Sequence, residues 1–362
     1  MVAGDGDRSV TPRYGIRADE HAGFDRPGRR SRPRTKDRPD YSVKPIGRVI
    51  GIDRGRYACI LEDGADRGRS ARAGVPSGPV GVASPEVRIL ATKARVLGRK
   101  GVIVGDRVHL DGDVSGDEGT LARIVEVVDR TSMLRRTADD DDPYERPIVA
   151  NADQLVIVTA LADPPPRTGM IDRILVAGYD AGISPLLCLT KADLASPDEL
   201  RAAYEPLGVR VVVVDPDASL APLQAELAEH TSVLIGHSGV GKSTLVNRLI
   251  PEADRQTGHV NAVTGRGRHT STSAVALELP DGSGWVIDTP GVRSFGLSHV
   301  RPEAIIEAFP DLAEHTVDCP RGCTHETGAR DCGLDAAVER GAVSEVRVAS
   351  YRRMLAHRHE RG

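Results

Sequence analysis

The chain has 362 residues, of which 28% are charged, 3% aromatic and 40% hydrophobic, and its formal net charge is −4 at neutral pH. That length has room for two or three domains and a sizeable core. No apolar run approaches the roughly eighteen residues of a membrane span, and no basic-then-apolar leader opens the chain, so a soluble cytoplasmic protein without a membrane partner is expected.

The charge is unevenly spread. Residues 1–42 carry 10 Lys+Arg against 7 Asp+Glu, residues 43–138 carry 17 against 12, and the remaining 224 carry 21 against 33. A basic front half suits a polyanion such as RNA. Only 6 of the 48 basic residues are Lys, however, and such Arg dominance follows genomic base composition as readily as function.

Residues 1–42 have almost no apolar periodicity, and 26–38 place seven basic residues among prolines and one acid, which predicts a disordered basic arm. From residue 43 the pattern turns to short β-type runs at 46–52, 57–61, 87–96, 102–110 and 121–128. Five strands with glycine turns predict a small OB-fold barrel over 43–135, interrupted by a long loop at 66–85. Tyr57 is the only aromatic residue between positions 43 and 138, so RNA binding by this barrel would rest on backbone and shape rather than on stacking. A purely structural barrel is the alternative.

An acidic linker is expected over 136–147, followed by an α/β domain over 148–298 with a mostly parallel sheet. Its strands are expected at 154–159, 185–190, 209–214, 232–236, 274–279 and 285–288, with helices at 170–181, 198–204 and 220–229. The second strand ends in Thr190-Lys191-Ala192-Asp193, an element whose carboxylate can accept from the N1–H and exocyclic amine that guanine has and adenine lacks. The fourth runs into Gly236-His237-Ser238-Gly239-Val240-Gly241-Lys242-Ser243, and Thr244 begins an amphipathic helical run to 250. Strand, glycine-rich turn and helix make the phosphate-binding loop, in which backbone N–H groups converge on a polyphosphate, Lys242 reaches the β- and γ-phosphates and Ser243 ligates Mg²⁺. The last strand ends in Asp288-Thr289-Pro290-Gly291, where Asp288 would hold Mg²⁺ and the Gly291 N–H would meet the γ-phosphate. Between them the polar stretch 260–272 is the expected switch, with Thr270 as Mg²⁺ ligand and Thr272 in reserve.

The order is therefore base element, phosphate loop, magnesium element, a circular permutation of the usual GTPase order. Guanine nucleotide binding is the leading reading, and Asp193 argues against an ATP-using kinase. Beyond residue 298 a mostly helical domain is expected over 299–362. In it Cys319-x₃-Cys323-x-His325-x₆-Cys332 supplies three thiolates and an imidazole, a tetrahedral structural Zn²⁺ set with disulfides as the alternative. Cys59 and Cys188 sit in apolar runs as core residues. A helix over 344–359 carries Arg347, Arg352, Arg353 and Arg358, a second candidate RNA-facing surface.

With these residues in view the chain resembles the RsgA (YjeQ) family of circularly permuted, ribosome-associated GTPases. The resemblance runs from about Val43 to Tyr351 and is carried by Val104-Gly-Asp-Arg-Val108, Ile148-Val-Ala-Asn-Ala-Asp153, the three nucleotide elements, Gly267-Arg-His269-Thr270, Asp288-Thr-Pro-Gly-Val-Arg293 and the Cys/His cluster. It implies an OB-fold, a permuted GTPase domain and a zinc-containing C-terminal domain. It further implies binding of GTP and GDP and assistance in late maturation of the small ribosomal subunit through its rRNA, with hydrolysis stimulated by that particle. A monomer is expected. Three departures stand out: the cysteine spacings differ by about a residue on each side from the family's pattern, Val214-Asp215-Pro216 stands where a guanine-contacting Ser-Ala element is usual, and the loop at 66–85 is long.

Many GTPases place a water-orienting Gln just after the Asp-x-x-Gly element, where this chain has Val292, which cannot hydrogen-bond water. Slow intrinsic hydrolysis follows, and His269 resembles the family's histidine proposed for that role. A rival of another class is an RNA-binding assembly chaperone that uses GTP only as a conformational switch.

Overall fold

The short β-type runs that follow residue 43 do close on themselves. The computed structural model describes residues 40–62, 87–98, 101–137, 144–251, 253, 274–292, 295–297, 300, 302–307 and 309–357. The arm (residues 1–39), the loop 66–85, the acidic run at 139–142, the switch 260–272 with His269, Thr270 and Thr272, and Arg358 lie outside the described residues. Strands β1 (Ile46–Asp53), β2 (Arg56–Leu61), β3 (Arg88–Lys93), β4 (Arg107–Gly112) and β5 (Ala122–Val127) pair in the order β1-β2-β3-β5-β4, and a β1–β4 pairing completes the barrel. That is the strand order of an OB-fold. Its interior is a small apolar cluster around Val49, Cys59, Ile89, Val108, Leu110 and Ile124.

The barrel closes onto the chain that leaves it through one buried charge. Asp106 is fully buried; its carboxylate accepts from the Ile103 N–H at 2.8 Å and from Arg130 Nε and Nη2 at 2.6 and 2.9 Å. A buried carboxylate is tolerable only when paired and hydrogen-bonded in this way. After Arg130 come two strands that the sequence reading did not pick out. β6 (Met133–Arg136) and β7 (Arg146–Ala150) form an antiparallel ribbon.

The α/β sheet follows. Strands β8 (Gln154–Ala160), β9 (Ser184–Thr190), β10 (Arg210–Val213), β11 (Thr231–Gly236), β12 (Val275–Glu278) and β13 (Trp285–Asp288) are ordered β10-β9-β8-β11-β13-β12, all parallel except β12. Every residue of β8 is buried, as expected of a parallel strand covered on both faces. Helix α1 (Thr168–Asp180) covers one face together with α2 (Asp198–Tyr204). On the other face lie α3 (Ala221–Leu227) and α4 (Lys242–Leu249), which bury Leu223, Leu227, Leu245 and Leu249. The sheet does not stop at β12: Gly51 of β1 pairs with Val275, so barrel and α/β sheet share one ladder of eleven strands. Arg48 of β1 seals the seam, its guanidinium 5.7 Å from the Trp285 ring centroid and its Nη1 donating to Thr231 Oγ1 at 3.2 Å.

The C-terminal region contributes α5 (Pro302–Glu307), α6 (Pro310–Ala313), α7 (Gly333–Glu339) and α8 (Glu345–His357). Helix α8 corrects the expectation of an RNA-facing arginine surface. Arg347 Nε and Nη2 donate to Asp311 at 2.9 and 2.7 Å, and its Nη1 donates to the Pro206 carbonyl at 2.6 Å. Arg352 forms a two-pronged pair with Asp335 at 2.6 and 2.9 Å. Arg353 reaches buried Asp172 at 3.3 Å, donates to the Ala203 carbonyl and lies 4.8 Å from the Tyr204 ring centroid. All three arginines hold the molecule together, because each planar fork finds a carboxylate or carbonyl that folding brings to it. Around them Tyr179, Phe309 and Tyr351 stack edge to face, with centroids 4.8 and 5.4 Å apart.

Candidate nucleotide site and metal centre

The nucleotide elements meet at the carboxyl end of the parallel sheet, where open α/β folds bind ligands. Gly236 ends β11 so close to β8 that a Cβ there would lie 2.5 Å from the Val158 carbonyl oxygen. Gly239 and Gly241 have φ of +87° and +88°, which only glycine adopts freely. Between them the loop turns back, and α4 begins at Lys242. Ser238, Gly239, Ser243 and Thr244 are exposed and His237 is half-buried, so the loop is open to solvent at the helix N-terminus.

The magnesium element lies directly against this loop. Lys242, buried, donates from Nζ to an Asp288 carboxylate oxygen, which places the proposed phosphate-binding and Mg²⁺-binding side chains at one point. Thr289 Oγ1 donates to the Leu234 carbonyl at 2.7 Å and the Val292 N–H donates to the Gly236 carbonyl at 3.1 Å. A Cβ on Gly291 would come within 3.4 Å of the Ser238 nitrogen. The Val292 side chain is buried and lines a cavity of about 390 Å³ with Ile52, Ile148, Ile235 and the arginines Arg136 and Arg146.

The base element is tied to the same loop. Thr190 Oγ1 donates to the Val240 carbonyl at 2.6 Å, and Lys191, at φ +57°, donates to the Asp163 carbonyl. Asp193 is exposed and its carboxylate has no hydrogen-bond partner among the described residues, as a group that must accept from a bound base requires. Where the Ser-Ala element is missing, Arg248 of α4 holds the loop: its Nη1 donates to the Asp215 carbonyl at 3.1 Å and its Nη2 to the Ala218 carbonyl at 2.6 Å. Sequence reasoning missed Arg248, since an arginine on an amphipathic helix reads as solvated. It also missed the Thr289 tie, for which no signal existed.

The second constellation is Cys319, Cys323, His325 and Cys332, whose donor atoms all lie within 4.8 Å of one another. Cys319 Sγ and Cys332 Sγ are each 3.7 Å from His325 Nδ1. Bonds of ~2.3 Å to sulfur and ~2.0 Å to nitrogen set tetrahedral donors roughly 3.5–3.8 Å apart, so the set fits a zinc-sized ion. The Gly333 N–H donates to Cys319 Sγ at 3.1 Å, and a Cβ on Gly333 would lie 2.0 Å from the His315 carbonyl oxygen. His325 takes φ +59°, and its carbonyl accepts from Arg352 Nε at 3.1 Å. Burial pushes the Cys319 thiol up to about 11, the Gly333 amide opposes this, and neighbouring Cys332 and Cys323 add to it. Burial, then Arg352, holds His325 below its ordinary value, which keeps the imidazole neutral and able to ligate. The cysteines outside the cluster are not reactive: burial pushes Cys59 and Cys188 each up to about 12.

A family model described as RsgA GTPase matches residues 127–298, from the end of the barrel through the magnesium element. The "Small ribosomal subunit biogenesis GTPase RsgA 1" of Vibrio vulnificus is 40% identical over 247 residues, covering 65% of this chain and 68% of that one. The chain belongs to the RsgA GTPase family. The "Small ribosomal subunit biogenesis GTPase RsgA" of Azotobacter vinelandii is 39% identical over 251 residues, 67% of this chain and 71% of that one. Among solved structures, YjeQ from Thermotoga maritima matches 88% of this chain and all of its own with a TM-score of 0.60 at 24% identity. YloQ, a circularly permuted GTPase, matches 89% of this chain and 97% of its own with a TM-score of 0.59 at 22% identity. These two likenesses speak to the fold. RsgA membership and the order of the nucleotide elements agree on a circularly permuted GTPase.

Proposed function

We propose that this chain hydrolyses GTP to GDP and phosphate while bound to the small ribosomal subunit, assists late maturation of that particle, and turns over faster when bound to it. The observation that carries the reading is the family relationship, reinforced by a site in which the elements for base, phosphates and magnesium are hydrogen-bonded to one another. Thr190, Lys191 and Asp193 select guanine; the loop from Gly236 to Thr244 and the Gly291 N–H hold the phosphates; Ser243, Thr270 and Asp288 hold Mg²⁺. His269 positions the attacking water in place of the buried Val292. The Cys319, Cys323, His325 and Cys332 set holds one structural Zn²⁺. The boundaries 1–42, 43–135, 136–147, 148–298 and 299–362 remain the proposed division of the chain, and a cytoplasmic monomer the proposed state.

Co-sedimentation with purified small subunits across nucleotide states and salt concentrations tests the reading. Binding should be tighter with a non-hydrolysable GTP analogue than with GDP, should weaken steeply with salt, and should accompany faster turnover. Nucleotide-independent binding with unstimulated turnover leaves only a guanine nucleotide site. Stimulated turnover also excludes the chaperone in which hydrolysis is incidental. Within this reading His269→Ala should leave GTP affinity within a few-fold and lower stimulated turnover by about tenfold or more.

A further inference from the structure

Helix α1 carries two adjacent buried charges, Asp172 and Arg173, that face different parts of the molecule. Arg173 Nε donates to the Phe295 carbonyl at 2.7 Å. Phe295 lies three residues beyond Val292, at the tail of the segment that carries Asp288 and Gly291. The next residue, Gly296, exchanges two backbone hydrogen bonds of 3.2 Å with Thr137 at the end of β6. The segment is thus pinned at its near end by Leu234 and Gly236 of the phosphate-loop strand and at its far end by Arg173 and Thr137. Asp172, one position earlier on α1, accepts from Arg353 of α8. A guanidinium and a carboxylate are costly to bury side by side on one helix unless each is held by specific partners, and here those partners include the tail of the Asp288–Gly291 segment for Arg173 and the C-terminal helix for Asp172.

We propose that Arg173 is a positioning residue for GTP hydrolysis: its hydrogen bond to the Phe295 carbonyl sets where the Gly291 N–H stands over the phosphate loop. The same turn of α1, through Asp172 and Arg353, passes the nucleotide state to α8. The inference rests on the nucleotide-site reading above. The chain between Val292 and Phe295 is only two residues long, so a displacement of Gly291 toward a γ-phosphate pulls on the Phe295 carbonyl and therefore on Arg173. Because α1 is a rigid element packed on the sheet, a small rotation at Arg173 is felt at Asp172. A chain of contacts from Phe295 through Arg173 and Asp172 to Arg353 thus joins the two ends, and either end can bias it.

The test is backbone amide exchange along Glu345–His357 in the full-length protein, with GDP and with a non-hydrolysable GTP analogue, alongside a nucleotide titration. Exchange in α8 should differ between the two nucleotides by about threefold or more. Arg353→Gln should erase that difference while leaving nucleotide affinity and basal turnover unchanged. Arg173→Lys, which keeps the charge and loses the planar fork, should lower kcat by about tenfold with KM within about twofold, the signature of misplaced groups rather than lost binding. Identical α8 exchange in the two states, or a folded Arg173→Lys protein with unchanged kcat, overturns the inference. If Arg173→Lys does not fold, the wild-type and Arg353→Gln exchange decide. Absence of nucleotide binding overturns the site reading and the inference with it, whereas binding without a response at α8 overturns the inference alone.

Discussion

The phosphate-loop end of the central sheet and the C-terminal Cys/His region are ordered by different forces. Around the loop, β8, β9 and β11 supply apolar side chains buried on both faces of a parallel sheet, and truncating one of them, Ile157 for example, should cost about 2–5 kcal/mol. Around the Cys/His cluster every helix but α8 is short, and the contacts are four donor side chains that could hold a metal ion, an amide on a sulfur and three arginines paired with acids. A site that exchanges ligands gains from a scaffold that does not depend on them, whereas an ion bound at the Cys/His group would itself be part of the scaffold.

The comparison is broken most directly at Lys242. Lys242→Ala should lower GTP hydrolysis by about a hundredfold or more, the scale of a lost charge on the transferring phosphoryl group, while the thermal midpoint stays close to wild type. Unchanged turnover would refute the assignment of the loop. Next comes the metal: the protein should bind one zinc per chain, and Cys323→Ser should lose it, with proteolysis opening the chain beyond about residue 302 while the sheet remains protected. Loss of metal with an intact C-terminal region would sink the idea that the ion is scaffold. A smaller effect is expected at Asp193→Asn, which should weaken GTP by about tenfold and improve xanthosine triphosphate, because a carboxylate that accepts twice becomes an amide that donates and accepts. Equal loss of both nucleotides would mean general damage.

The smallest effect sharpens the comparison by pH. The hydrogen bonds and charge of Arg347 hold the Asp311 carboxyl below its usual range, and Arg352 does the same for Asp335. A depressed carboxylate contributes stability that is fully present above its ordinary pKa and is lost as pH falls through the folded value. The arginine ties should therefore be at full strength at neutral pH and weaken only below about pH 4. Asp311→Asn should remove at most about 1 kcal/mol at neutral pH, since the pair is partly exposed, and should flatten the acid dependence of C-terminal unfolding relative to wild type. An unaltered acid profile would show that the pair contributes nothing.

The nucleotide side was the more legible of the two in the sequence. A glycine-rich turn between an apolar run and an amphipathic one leaves little freedom, and Gly236, Gly239 and Gly241 stand where close approach or positive φ demands them. The ribbon β6–β7 was not legible: its strands are four and five residues long, contain three arginines and a proline, and flank an acidic run that reads as a linker. The arginines of α8 were misread for a different reason. A basic helix looks solvated until its partners are known, and Asp311, Asp335 and Asp172 lie 36, 17 and 181 residues away along the chain. Local pattern carries no information about such distances. That Cys319, Cys323, His325 and Cys332 come together was plain from their spacing, but the need for glycine at 333 came only from the approach of the His315 carbonyl.

The single ladder shared by barrel and α/β sheet bears on solubility. Strand β12 is the last strand of the α/β sheet, and an uncovered edge of that kind is a template for pairing with another chain. Here β1 meets it at Val275, and Arg48 covers the neighbouring Trp285. The barrel thus acts as an edge guard for the α/β sheet. A fragment beginning after Arg136 would keep every nucleotide-site residue and lose that guard, so it should self-associate at concentrations where the full chain stays dispersed.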